Sequence, residues 1–419
     1  MKLLLINHYA GAPQYGMEYR PFYLAREWVR AGHSVQILAS TVSHVRSRQP
    51  AAGDELIEGI AYRWYPTPAY AGNGLGRVLN IWSFCRQLWR DAAQIARDIQ
   101  PDVVIASSTY PMDLWVARRI ARLCRAKLVY EVHDLWPLSP IELSGMSPRH
   151  PFALLCQKAE NDGYRDADLV ISMLPKVHQH MQEHGLDLRK LCIVPNGIAL
   201  DEWQGEGEAL DADLADFITA QRAAGRMVLG YAGSHGLPNA LDFLLDAAKL
   251  LKDEAVAILL VGGGHEKARL AERLRAEAIS NVTLFAPIPK LQIPALLACF
   301  DVAYIGWQRT PIYRFGIAPN KLMDYMMAQV AVLHSVEAGN DPVAQAQAGL
   351  TVPPEDAQAI AAGWRRLAAL PADERAAMGR RGRAFVLAHH SYPVLAARFI
   401  EALTGTPAAI ESASPHQMR

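Results

Sequence analysis

Short apolar runs separated by longer amphipathic stretches recur along nearly the whole chain, and they recur in two successive series. Residues 3–6, 35–39, 103–106, 128–132, 169–171 and 192–194 form the first set of runs, and 227–231, 257–261, 282–285, 302–305 and 331–333 the second. Runs this short and this uniformly apolar read as strands buried on both faces, and the stretches between them, such as 17–31 before Gly32-His33, read as crossover helices. The pattern predicts α/β architecture built from two doubly wound, Rossmann-like domains facing a cleft. Ligands of such sheets sit beyond the carboxyl ends of the strands. The expected division is a first domain over 1–200, a solvated connector over 201–225 rich in Gly, Ala and acidic residues, and a second domain over 226–390. A helix over 391–405 is expected to cross back to the first domain, and 406–419 to form a flexible tail.

At 419 residues and 51% hydrophobic content the chain can bury two cores. Lys plus Arg and Asp plus Glu both number 42, so no global charge favours nucleic acid, and any polyanion site must be local. The five cysteines are scattered without CxxC pairing, which suits a reducing cytosol better than a disulfide scaffold or a zinc site. No run approaches the ~20 apolar residues of a membrane span, and the first residues are too short an apolar run for a signal peptide. A cytoplasmic protein is expected, at most peripheral on the inner face of the plasma membrane.

Four places carry candidate chemistry. The loop after the first strand holds Gly11 and Gly16 and runs into a helix near Arg20, where backbone and helix N-terminus could approach a ligand; a plain strand-to-helix turn is the alternative. His133 and Asp134 follow the run 128–132 and suit hydrogen bonds to a sugar, unless Asp134 merely bonds local backbone. In the second half, Gly233-Ser234-His235 through Asn239, with Gly263 in a glycine triplet, allow amides to crowd around phosphate oxygens. Pro319-Asn320-Lys321 opens a helix whose N–H groups and ammonium suit an anion, with Asp324 one turn on for ribose hydroxyls; an ordinary i, i+3 ion pair is the competing reading. Residues 77–90 alternate Val78, Ile81, Trp82 and Trp89 with Arg77, Arg86 and Arg90, which fits either a helix resting on an anionic membrane or one packed on the core.

Taken in order, the first-loop glycines with Glu18-Tyr19-Arg20, then His133-Asp134-Leu135-Trp136-Pro137, Val194-Pro195-Asn196-Gly197, Val261-Gly262-Gly263-Gly264 and Pro319-Asn320-Lys321-Leu322-Met323-Asp324 resemble retaining family 4 glycosyltransferases of the GT-B fold. The likeness is to the branch acting in bacterial O-antigen, capsule and exopolysaccharide synthesis, including L-fucosamine-type transferases. The resemblance implies a nucleotide-sugar donor, with UDP favoured, a polyprenyl-diphosphate-linked sugar acceptor, no cofactor and no metal. It implies His133 at the donor hexose and Lys321 at the diphosphate as the catalytic pair, Gly11 and Gly233 near diphosphate or sugar, and Asp324 at the ribose as second acid of an E-x7-E pattern.

The chain departs from that pattern. Gly316 stands where the first glutamate belongs, and Ser234, His235 and Asn239 stand where an Arg and a Lys usually follow the second domain's first strand. Phosphate neutralisation therefore falls to Lys321, with Arg314 as a possible aid. Two other readings keep the same residues: a nucleotide-sugar 2-epimerase, and a non-catalytic nucleotide-sugar-binding partner subunit.

Overall fold

The computed structural model describes residues 1–72, 74–204 and 207–405. The chain divides into two compact units, Met1–Pro195 together with Tyr392 onward, and Asn196–Ser391.

The first unit is built on an eight-stranded sheet: β1 (Lys2–Ile6), β2 (Ser34–Ser40), β3 (Gly53–Ile57), β4 (Ile60–Tyr65), β5 (Val103–Ala106), β6 (Lys127–Val132), β7 (Leu169–Ser172) and β8 (Leu191–Ile193). Their order is β3-β4-β2-β1-β5-β6-β7-β8, parallel except for the β3–β4 hairpin at one edge. The strand order reverses between β1 and β5, which pair in parallel through Leu3–Val103 to Ile6–Ala106. That reversal opens a crevice at the carboxyl ends of these two strands. Helix Tyr392–Thr404 packs in this unit, where Trp28 Nε1–H donates to Ala396 O. Under β6, Gly163 lets helix Pro151–Asp166 close on Tyr130, since a Cβ there would lie 2.7 Å from the tyrosine ring.

The second unit holds β9 (Met227–Ala232), β10 (Val256–Val261), β11 (Val282–Phe285), β12 (Val302–Gly306), β13 (Ala331–Ser335) and β14 (Gly349–Thr351). All are parallel, in the order β11-β10-β9-β12-β13-β14, the strand order of dinucleotide-binding sheets, with its switch point between β9 and β12.

Three expectations change. The first crossover helix spans Arg20–Arg30 and not 17–31, because residues 17–19 complete the preceding loop. The connector over 201–225 is not a solvated linker: helix Ala212–Ala223 buries Leu214 and Ile218 in the core of the second unit. Residues 205–206 of that connector, and the tail from Thr406, lie outside the described residues. Strands β3, β4 and β14 were not anticipated.

Candidate functional site

The second unit presents a cation at its switch point. Tyr325 ties helix Asn320–Met327 to the end of β9, its hydroxyl accepting from Ala232 N and donating to Ala232 O. This places Lys321 beside Gly233, where a Cβ would lie 3.2 Å from Nζ. The ammonium donates to Tyr231 OH at 2.8 Å and to Asn239 Oδ1 at 2.6 Å. Both acceptors are themselves fixed, because Tyr231 OH and Asn239 Nδ2 donate to Ser234 O. Neither acceptor is an anion, and among the described residues no carboxylate pairs with Lys321. Burial pushes its pKa down to about 8. Keeping it charged at pH 7 therefore costs on the order of 3 kcal/mol, a penalty present in full below pH 8 and gone above the unfolded lysine's pKa. An anion placed there relieves it. The N-terminus of helix Asn320–Met327 carries no side-chain cap, so its amides point the same partial charge outward. Pro319 is the N-cap residue and not the first helical residue, and Asn320 is exposed.

The i, i+3 pair with Lys321 does not form. Asp324 is half-buried and accepts no side-chain hydrogen bond among the described residues, and burial raises its carboxyl to about 7, opposed by Lys290 and reinforced by Glu202. Gly316, where the resemblance places a first acid, adopts φ +95°, a conformation no glutamate would take readily. Asn340 orders the next residue by accepting from Ile317 N and donating to Ile317 O. Arg314 is exposed and lies over the ring of Phe315. His235 cannot substitute for a missing arginine: it is buried and its pKa falls to about 4, first by burial and then by Lys267 and Lys321, so it is neutral at pH 7. Among the described residues, neither of its ring nitrogens has a hydrogen-bond partner. The glycine triplet serves this loop, since His235 N donates to Gly263 O and a Cβ on Gly262 would collide with Gly233 O.

In the first unit a buried polar network occupies the crevice between β1 and β5. Asn7 Nδ2 donates to Ser107 O at 2.6 Å across the strand ends. Arg20 and Glu131, each 1% exposed, form an ion pair, and Arg20 also donates to Val194 O and Pro195 O. Burial opposes the Glu131 carboxylate, but Arg20, His133 and Ser107 together hold it ionised, well below the usual range. Ser107 Oγ donates to Glu131 Oε2, and His133 Nε2 lies 2.9 Å from that hydroxyl and 3.3 Å from the same carboxylate oxygen. Since the carboxylate only accepts and the serine proton is spent, Nε2 of His133 carries a hydrogen, which in the neutral imidazole leaves the lone pair on Nδ1.

Four residues anticipated at a ligand make internal contacts. Arg20 is consumed by Glu131 and backbone carbonyls. Gly11 is needed because Gly16 O would lie 1.9 Å from a Cβ, so its loop closes on itself, and Gly16 is required by φ +94°. Asp134 accepts from Leu135 N and Ser139 Oγ, the local capping arrangement. Asn7, Ser107 and Glu131 were missed; the one available signal was an acid inside the apolar run 128–132.

Helix Leu75–Ile99 has two apolar sides. One buries Ile81, Phe84 and Leu88 in the core, and the other leaves Trp82 59% and Trp89 43% exposed. The exposed side borders an apolar groove of about 580 Å³ against helices Asp113–Cys124 and Pro151–Asp166, floored by Met112, Trp115 and Phe152. The basic rim differs from expectation. Arg77 bonds Tyr9 OH and Arg90 pairs with Asp91, whereas Arg86 lies over Trp82 and Arg119 over Trp89. No helix among the described residues is long and apolar enough to cross a membrane.

Fold and site together define a class: a two-unit, doubly wound α/β protein with a desolvated ammonium at one switch point. Residues 16–197 match the glycosyl transferase 4-like domain and residues 226–369 match the glycosyl transferases group 1 family, and the chain belongs to these glycosyltransferases. It is 24% identical over 366 residues to WcaI of Escherichia coli (strain K12), named for colanic acid biosynthesis, covering 82% of this chain and 87% of that protein. Among solved structures, sucrose-phosphate synthase of Thermosynechococcus elongatus superposes with a TM-score of 0.71 at 16% identity, covering 97% of this chain and 98% of that one. HepE of Anabaena, in complex with UDP and glucose, gives 0.64 at 16% identity over 97% and 100%. The fold is GT-B.

Proposed function

We propose that this glycosyltransferase moves a hexose or N-acetylamino sugar from a UDP donor to a lipid-linked glycan acceptor in bacterial surface polysaccharide synthesis, with retention and without a metal at the leaving group. The observation that carries the reading is Lys321: a desolvated ammonium held by two neutral acceptors, beside an uncapped helix N-terminus. Such a site stabilises the negative charge that develops on a departing diphosphate, because its donors are already oriented and dry. Asp324, desolvated and without a side-chain hydrogen-bond partner among the described residues, is assigned to the ribose hydroxyls. In the first unit, His133 offers the Nδ1 lone pair to a hydroxyl of the transferred sugar while Glu131 and Ser107 fix its orientation. Retention is assigned by the chain's resemblance to retaining family 4 transferases, with a donor phosphate oxygen taking the acceptor's proton. Support for UDP comes from HepE, and for a surface polysaccharide from the name of WcaI.

The acceptor assignment rests on the apolar groove and its flanking tryptophans. Incubation with radiolabelled UDP-sugars and a bacterial lipid extract should carry label into the organic phase. Changing Trp82 and Trp89 to Asp should cut that transfer at least tenfold with donor affinity unchanged, since burying each side chain contributes about 1.5–3 kcal/mol. Label recovered only in isomerised donor, or equal transfer by the variant, would overturn this acceptor reading.

A further inference from the structure

Folding of the first unit assembles a cluster that the spacing of acids and histidines along the chain did not suggest. Glu160 projects from helix Pro151–Asp166, His180 from the short helix His178–Glu183, and His184 caps the latter's C-terminus. One ligand atom from each lies within 4.8 Å of the others, and His180 Nε2 stands 3.9 Å from Glu160 Oε1.

Glu160 is 1% exposed, yet among the described residues no Lys or Arg pairs with it. Its Oε1 accepts from Tyr164 OH at 2.9 Å and its Oε2 from Gln157 Nε2 at 2.8 Å. Buried carboxylates are paired with cations or coordinate metals, and hydrogen bonds of this kind orient ligating groups. His184 Nδ1 lies 2.8 Å from the carbonyl oxygen of His180. A carbonyl only accepts, so Nδ1 carries the hydrogen and Nε2 is left with the lone pair, the tautomer a metal ligand needs.

We propose that Glu160, His180 and His184 bind a divalent cation of borderline softness, zinc foremost, which fastens the turn around 178–184 to helix Pro151–Asp166. Two imidazoles and one carboxylate are a recurrent zinc donor set, with water completing the tetrahedron. Tetrahedral bonds of about 2.0–2.2 Å place two ligand atoms about 3.4 Å apart, so the 3.9 Å pair closes by about half an ångström and the widest pair by at most about 1.4 Å when the ion enters. The site is separate from the diphosphate chemistry assigned to Lys321 and independent of it. Its competitor is a metal-free contact between Glu160 and a protonated His180.

The test uses the full chain, stripped with EDTA and exchanged into metal-free buffer, then titrated with Co²⁺ and Zn²⁺. One cobalt per chain should appear with visible d–d bands, zinc should displace it, and zinc should raise the unfolding midpoint. His184→Ala and Glu160→Gln should each weaken zinc binding tenfold or more, whereas His178→Ala, which removes a neighbouring exposed imidazole, should bind as the parent does. His184 is half-buried at a helix end, so its variant keeps the test open should Glu160→Gln unfold. Absence of a cobalt spectrum, or equal zinc affinity in His184→Ala, His180→Ala and the parent, would overturn the site.

Discussion

Lys321→Met should abolish donor use while leaving the fold at least as stable as before. On the proposed reading the ammonium makes charge-assisted contacts to a diphosphate that methionine cannot make, and losing one such preorganised donor costs about 10²–10³ in turnover. Methionine keeps the apolar stem and removes a cation whose burial is already unfavourable, so the unfolding midpoint should not fall. That combination separates a functional lysine from a structural one, whose loss would lower the midpoint. A pH series adds a second signature. With the free ammonium titrating near 8, UDP affinity should drop about fourfold between pH 7 and 8.5 in the parent and stay flat in the variant. A variant that binds and turns over donor normally would remove Lys321 from the mechanism.

Arg20→Leu should destabilise the first unit by about 3–5 kcal/mol, read as a fall in urea midpoint, because it strands the Glu131 carboxylate in the interior. It also deprives Val194 O and Pro195 O of their donor. The double variant Arg20→Leu with Glu131→Leu should recover much of that loss, since the penalty lies in an unpaired charge. Activity should not return with stability, because Glu131 and Ser107 are what hold His133 in its tautomer. Strict additivity of the two single changes would show that the pair is not coupled.

The legible parts of this fold were those written in local pattern. Strands such as β5 and β10 are continuous apolar runs because both faces of a parallel sheet are covered. The β3–β4 hairpin escaped notice because it lies at the sheet edge: Leu56 is exposed and the turn is Glu58-Gly59, both at positive φ, without the usual Asn-Gly signature. Helix Ala212–Ala223 was hidden by having only Leu214 and Ile218 buried among alanines and acids. At the candidate site, Lys321 could be singled out because a helix start after proline and a lone cation suggest an anion locally. Arg20 could not be judged that way, since its partner lies 111 residues distant and nothing local distinguishes a buried clamp from a ligand contact. Gly11 and Gly16 raise the same difficulty, since a small residue can be required by the loop itself as well as by a ligand. Gly316 is the converse case, where the position expected to hold an acid has a φ that favours glycine, which only the structure reveals.

The central claim is that the leaving diphosphate is neutralised at the tip of helix Asn320–Met327, and a crystal structure of the chain with UDP tests it most directly. The account predicts a β-phosphate oxygen within hydrogen-bonding distance of Lys321 Nζ, close to the amides that open the helix. A diphosphate bound elsewhere, with Lys321 still donating only to Tyr231 and Asn239, would contradict it.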